Sequence, residues 1–506
     1  MKDKILIWIN NSFIHFGIAQ ELQKNLDCEL YAICYVDDNA KKFLKSQNLV
    51  KFEKIWFYPD HLENKNKKPD LDYLKKFEEK YELNLWKTAF CERLFYKEYN
   101  KFYVFSQNEI LLILEQACHF FEDILFKTNP DFLMMEMTIH HSDHLLYQMC
   151  RNSGIKVMVF RGTRFGYRMI LSEELMGIDN FDSKMMTPPK QNYSFDDLQN
   201  YIKKFSAFKQ IKEMEISVKI SKFKKLKSFV HFIFSNNSKY TDHYLNYGKS
   251  KLNVLRKANS RKFLKKKKKT KSFIDKNFLK EINSEKPFVF FPLHQEPERV
   301  LLVDSPFLTN QIEVIKQLSK ALPIEFELFV KEHIVMEKTG WRDISYYEKI
   351  SEIPNVKLIH PSIHPEEIMK KCSLVATING TAALEASIYN KPSIIFTKNH
   401  TYSKIPSIFQ LENIEDLPAL IKRALKQKID LSSISKYFEI LDENSFVFDR
   451  TGYSVNFNRL FSYSGFLNDP EYSENKMKNF LNDNNDIFSK LSDEHIKKIN
   501  EFKTKH

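Results

Sequence analysis

The strongest periodic signal in the chain lies in its second half. Short apolar runs, FVFFPL (288–293), EFELFV (325–330), VKLI (356–359), SLVATI (373–378) and PSIIFT (392–397), alternate with amphipathic stretches near 309–321, 343–352, 365–371, 381–390 and 415–427. Buried strands alternating with helices predict a parallel sheet covered on both faces. Ligands of such sheets sit outside the carboxyl ends of the strands. Three loops fall at such ends: His294 to Glu298, Lys331 to His333, and Thr377 to Thr381.

The first part of the chain opens in the same way, with a strand at 4–10, the polar loop Asn10-Asn11-Ser12, a helix from about 14 to 26 and a strand at 30–35. This is how a Rossmann-like half begins, but GxGxxG is missing, so dinucleotide binding is not expected here. Residues 70–127 carry apolar positions at helical spacing. Pro130-Asp131 then leads into the strand FLMMEM, with Glu136 near its end, followed by Thr138, His140, His141, Asp143 and His144 and a helix to about Asn152.

Glu136, His140 and His144 are the acid/base candidates of this part. His140 and His144 are four apart, a spacing that metal ligands share, but no third ligand accompanies them, and no metal is expected. A helix start with solvated histidines fits the same residues. Next comes KVMVF (156–160) and then RGTRFGYR, where Arg161 and Arg164 are candidates to clamp an anionic acceptor or to pair with surface carboxylates.

From about 172 to 284 the composition changes. Ile216, Ile220, Phe223, Leu226, Val230 and Ile233 step as an amphipathic helix among lysines, and RKFLKKKKKTK (261–271) follows. Residues 203–271 hold 22 Lys+Arg against 3 Asp+Glu, a net of +19, so the rest of this +13 chain carries −6. Such local basicity predicts docking on an anionic membrane surface, the alternative being a helical connector with a solvated lysine face. No recognition motif accompanies the lysines, so nucleic acid is not an expected partner.

The loops of the second half have a coherent chemistry. Lys331 and His333 offset phosphate charge, and the turn Asn379-Gly380-Thr381 before a short helix offers backbone N–H donors. Glu298 and Glu385 accept from sugar hydroxyls. This is a nucleotide-sugar site without a P-loop and without paired aspartates for a metal-bridged pyrophosphate.

FFPLHQEPE, FVKEH with GWRDISYYEKI after it, PNVKLIHP and TINGTAALEASIYNKPSIIF resemble successive motifs of the capsule polysaccharide biosynthesis family, bacterial surface-polysaccharide glycosyltransferases that include Kdo transferases. The similarity spans about 285–405, with weaker echoes in LNLWKTAFCERLFYKEYN (83–100) and in 130–170. It implies a GT-B-like α/β architecture: two Rossmann-like domains facing a cleft, with acceptor in the first, donor in the second and a helical basic connector between them. On this reading residues 1–171 form the acceptor domain, 172–284 the connector, 285–427 the donor domain and 428–506 a helical tail. By resemblance, Lys331 and His333 match a Lys-x-His-Pro element, with Ile334 in place of proline. Thr377, Asn379, Gly380, Thr381 and Glu385 match a Ser/Thr-rich donor loop, and Glu296-Pro297-Glu298, after His294, matches a Gln-Pro-Glu element, with Glu296 in place of glutamine.

The expected activity is metal-independent transfer of a sugar from a CMP-linked, Kdo-like donor or a nucleoside diphosphate sugar to a surface polysaccharide or lipid-linked glycan. The nucleotide-sugar acts as co-substrate, and no cofactor is expected. Two alternatives are a nucleotide-sugar epimerase of the same fold and a non-catalytic scaffold or glycan-binding subunit. Six cysteines without CxxC spacing, and no run of about 18 uncharged apolar residues, lead to the expectation of a reduced, cytoplasmic protein, peripheral on the inner face of the cell membrane.

Overall fold

The structure is a computed structural model of the 506-residue chain. It describes residues 2–62, 67–163, 165–204, 226, 230, 234, 244–257, 260–397, 401–461 and 472–504. Arg164 and nearly all of the amphipathic stretch 216–233 lie outside these residues.

The chain folds into two compact units. The first six strands belong to the first unit: β1 (Asp3–Asn10), β2 (Cys28–Tyr35), β3 (Lys54–Phe57), β4 (Phe132–Glu136), β5 (Lys156–Gly162) and β6 (Arg168–Ser172). The next six belong to the second: β7 (Phe288–Pro292), β8 (Glu327–Lys331), β9 (Val356–Ile359), β10 (Leu374–Thr377), β11 (Ser393–Ile395) and β12 (Ile408–Gln410). The last, β13 (Ser445–Val447), returns to the first unit.

In the first unit the strand order is β13-β6-β5-β4-β1-β2-β3, parallel from β5 to β3, with β6 and β13 added antiparallel at one edge. In the second it is β12-β11-β10-β7-β8-β9, parallel throughout. Both are doubly wound Rossmann-like domains, the pair from which a GT-B fold is built. In each sheet the winding reverses at one point, between β1 and β4 in the first unit and between β7 and β10 in the second. At such a point adjacent strand ends send their loops to opposite faces and leave a crevice.

The expected division of the chain is corrected in two places. The described residues of 172–284 do not form a separate body: 176–204 and 255–284 belong to the second unit, and 172–175 and 244–254 to the first. The helix Phe195–Lys204 packs on the second unit, where Gln199 donates to the Ile388 carbonyl (3.2 Å) and Ile202 lies against the core. The helix Ser260–Asn277 buries Ile274 in the same unit, followed by Phe278, and Leu279 bridges to Ile359. Its burial follows from the apolar residues that interrupt the lysines on one face.

The tail is likewise divided. The helix Leu431–Glu443 stays with the second unit, whereas residues 445–506 join the first. In the helix Asn485–Thr504, Phe488, Leu491, Ile499 and Phe502 complete the apolar core under the helix Ile14–Asn25. Gly17 permits that approach, since a Cβ there would lie 2.2 Å from the Phe488 ring. Among the described residues no helix is long and apolar enough to cross a membrane.

Candidate functional site

The second unit carries its candidate residues at the reversal point. His294 leaves β7 and the loop 377–381 leaves β10, and the two meet. The Asn379 N–H (3.4 Å) and Thr377 Oγ1 (3.3 Å) both approach His294 Nε2. With Nε2 accepting, the neutral ring carries its proton on Nδ1, 3.9 Å from Glu298 Oε2. Gly380 is required here, because a Cβ would stand 2.7 Å from Thr377 Oγ1. The helix after this turn, Ala382–Ile388, is shorter than expected. Thr381 Oγ1 donates to Glu385 Oε1 (2.8 Å), and burial raises the Glu385 carboxyl above the ordinary range against that hydrogen bond.

Lys331 ends β8. Its side chain is largely buried, and among the described residues its ammonium has no hydrogen bond or ion pair. Burial pushes its pKa down to about 8 against the charge of Glu332. His333 is likewise lowered, first by burial and then by the Lys331 and Arg342 cations working against Glu332. Its Nδ1 accepts from the Val335 N–H (3.3 Å), so the neutral ring presents an Nε2 proton. Lys331 and neutral His333 are both donors suited to phosphate oxygens.

Beneath these loops lies a network that the sequence reading missed. The Arg342 guanidinium bonds Glu332 (Nε to Oε2, 2.8 Å), Glu296 and the carbonyl of His294. Tyr347 donates to the same Glu332 oxygen (2.7 Å). Glu332 and Arg342 are buried, and a buried network of charged hydrogen bonds and ion pairs of this kind fixes geometry. Its sequence signal was available: Glu332 alternates with Lys331 and His333 on a strand end, so it turns to the opposite face.

Glu296, expected to touch donor, spends its carboxylate on Gln311 and Arg342 and so ties loops together. Thr377 is likewise turned inward, toward His294. Lys331, His333, Glu298, Gly380 and Glu385 remain as the groups suited to meet a ligand.

In the first unit Glu136 ends β4 beside the loop of β1. It accepts from Ser12 Oγ (2.6 Å), Asn10 Nδ2 (3.1 Å) and Arg450. Burial alone would raise its carboxyl, but Arg450 and these hydrogen bonds hold it below the ordinary range. Its oxygens are thus engaged in joining β1, β4 and the helix Arg450–Phe461, which is not the state of a proton acceptor. His144 is buried, with Nδ1 3.3 Å from Thr138 Oγ1 and its ring stacked on Tyr147.

His140 differs from both. Its Nδ1 lies 3.0 Å from Oε2 of Glu92, a fully buried carboxylate that His141 also approaches at 3.4 Å. The ring keeps 21% exposure, and Nε2 has no partner among the described residues. Burial disfavours the His140 cation, but the hydrogen bond and charge of Glu92, with Asp143 behind, outweigh it and hold its pKa above the ordinary value. Glu92 is held below its own ordinary value by the two imidazoles despite its burial. Glu92 was not singled out in the sequence, although it lies in the stretch 83–100.

Arg161 is buried at the end of β5 with Nε 3.3 Å from Ser172 Oγ, so it is not displayed to an acceptor as expected. Among the described residues no group of three or more His, Cys, Asp and Glu side chains is arranged to hold a metal.

Two doubly wound units, with cationic and carboxylate groups at the reversal point of the second, define a Rossmann-like protein of the GT-B kind. The model of the capsule polysaccharide biosynthesis protein family matches residues 188–404, which takes in the motifs read at about 285–405 but not the weaker echoes at 83–100 and 130–170. No curated protein sequence matches the chain. Similar solved structures include a UDP-GlcNAc 2-epimerase from Methanocaldococcus jannaschii, with 13% identity, 88% of this chain and 100% of that one covered, and a TM-score of 0.25. They also include KpsC of Thermosulfurimonas dismutans as a beta Kdo 2,7 transferase (12% identity, 70% and 87% covered, TM-score 0.29) and as a beta Kdo 2,4 transferase (10%, 64% and 87%, 0.31).

Proposed function

We propose that the protein is a glycosyltransferase that moves a sugar from a nucleotide-activated donor to a surface-polysaccharide or lipid-linked glycan acceptor. The observation that carries this reading is the largely buried Lys331, whose ammonium has no ion-pair partner among the described residues, beside neutral His333 at the carboxyl end of β8 next to the reversal point. A largely buried cation without a partner is costly, and an anionic ligand reduces that cost. The family match over 188–404 supports a role in polysaccharide synthesis.

In this mechanism Lys331 and His333 stabilise the charge that develops on the leaving phosphate, and no metal is required for it. Glu385, raised toward its neutral form, and Glu298 hydrogen-bond the sugar hydroxyls of the donor. His140 Nε2 takes the proton of the acceptor hydroxyl in an inverting transfer, while Glu92 holds the ring by Nδ1 and stabilises the imidazolium. The test is transfer of labelled sugar from CMP-, UDP-, GDP- and ADP-linked donors to glycan extracted from the producing cells, with EDTA present throughout. Acceptor-dependent transfer by the wild type that falls in His140→Ala and Lys331→Met supports the reading. Conversion of donor without acceptor makes the protein an epimerase, and no turnover of any donor makes it a scaffold.

The basic face of the helix Ser260–Asn277 belongs to the same proposal. Lys262, Lys265, Lys268, Lys269 and Lys271 are exposed, with Phe263 and Leu264 exposed among them. This face is suited to the anionic inner leaflet, which would hold the enzyme at a lipid-linked acceptor.

A further inference from the structure

The stretch 83–100 supplies Glu92, but most of its side chains have no part in the reading above. Four of its aromatic rings form a continuous row. Trp86 stacks on Phe90 with centroids 6.0 Å apart and planes 27° apart, Phe90 meets Tyr96 at 5.4 Å, and Tyr96 meets Tyr99 at 5.5 Å. Their neighbours Leu85, Ala89 and Phe95 lie in the core, on which Trp86 also packs with part of its ring, and the row runs from there along the surface. Phe90 is 41% exposed, and the other three rings are half-buried. Tyr96 Oη donates to the Phe90 carbonyl (3.1 Å), which fixes one ring against the next.

The exposed charges along this stretch are mostly basic: Lys87, Arg93, Lys97 and Lys101, against Glu82 and Glu98. A contiguous, partly exposed aromatic surface marks a binding face, and a rim with a net positive charge favours an anion. The backbone of the row also leads to the proposed base: Glu92 lies between Phe90 and Tyr96 and accepts from the Leu94 N–H (3.3 Å), and the Arg93 charge acts on His140.

We infer that Trp86, Phe90, Tyr96 and Tyr99 form a platform for an acidic glycan, whose ring faces stack on the aromatic row while its carboxylates pair with Arg93 and the flanking lysines. This rests on the proposed transferase activity only for the identity of the glycan as acceptor; binding itself needs no catalysis. Sugar rings offer apolar C–H faces to aromatic rings and hydroxyls to the polar rim, the mixture by which apolar and polar groups share a binding site. A single-stranded nucleic acid is the competing anionic occupant of such a row, and oligo-dT tests for it.

The experiment is calorimetric titration of the full chain with a hexamer of galacturonic acid, with maltohexaose and oligo-dT as comparators. The wild type is expected to bind the acidic hexamer and to bind maltohexaose at least tenfold more weakly. Phe90→Ala and Tyr99→Ala are expected to lose at least tenfold in affinity without a change in melting temperature. Arg93→Gln is expected to weaken binding and flatten its salt dependence. Should an aromatic variant lower the melting temperature, Lys97→Gln, altered only at an exposed charge, takes its place and is expected to weaken binding with the fold intact. The inference is overturned if the wild type does not bind the hexamer, if the variants bind it as the wild type does, or if maltohexaose or oligo-dT binds equally well. Nucleotide binding by the same samples is read separately: its retention without hexamer binding sinks the platform alone, and its loss with hexamer binding intact sinks the donor site alone.

Discussion

His140 has one nitrogen on a buried carboxylate and the other open to solvent, and that asymmetry makes its protonation state measurable through rate. Only the neutral ring accepts a proton. Because Glu92 holds the His140 pKa above 6.5, activity is expected to rise with pH through a midpoint above 6.5 and then level off. In Glu92→Gln the raising charge is gone while the lowering effect of burial stays, so the midpoint is expected to move to lower pH and kcat to fall. A pH–rate profile decides this, and an unmoved midpoint contradicts it. His140→Ala is expected to cost about 10²–10⁴ in kcat. At the donor site, Lys331→Met removes a charge-assisted hydrogen bond of about 1.5–3 kcal/mol, roughly 10- to 150-fold in Kd. With its pKa lowered to about 8, Lys331 is cationic at neutral pH and loses its charge above pH 8. Wild-type affinity for donor is therefore expected to decline above that pH, while Lys331→Met is expected to be flat.

The elements show where the sequence could be read and where it could not. β7 to β11, with their helices, were legible because each strand is a short apolar run and each helix repeats at 3.6 residues. β3, β12 and β13 were not read from the sequence, because none of them stands in a helix–strand alternation that marks it. Lys331, His333 and the 377–381 turn were legible because strand ends of a parallel sheet collect ligands. Glu92 was not, since it meets His140 across 48 residues, and nothing local marks that contact. The docking of the tail under the first unit was equally hidden, because an amphipathic helix does not name the surface it covers. Gly17 tests that docking. Alanine is the better helix former by about 1 kcal/mol, but its Cβ would meet the buried Phe488 ring at 2.2 Å. Overpacking of about 1–3 kcal/mol is expected to win, so Gly17→Ala should lower the urea midpoint. A neutral or stabilising effect would show that this helix does not pack as described.

At the scale of the whole molecule, charge is divided: +19 on residues 203–271 and −6 on the rest. The exposed lysines of the helix Ser260–Asn277 are expected to bring the protein down with phosphatidylserine-containing vesicles at low salt, each basic residue near the surface contributing about 1 kcal/mol. Lys265, Lys268 and Lys269 changed together to Gln are expected to release it, and equal sedimentation with neutral vesicles would contradict the proposal. The account as a whole stands on the second unit binding a nucleotide. A thermal-shift titration with CMP, UDP, GDP and ADP on the wild type, Lys331→Met and Glu385→Ala tests this most directly. A nucleotide at 100 times its Kd stabilises by about 2.7 kcal/mol. The account predicts that one nucleotide raises the melting temperature of the wild type and that both substitutions reduce the rise. No rise with any nucleotide, or an undiminished rise in Lys331→Met, would contradict it.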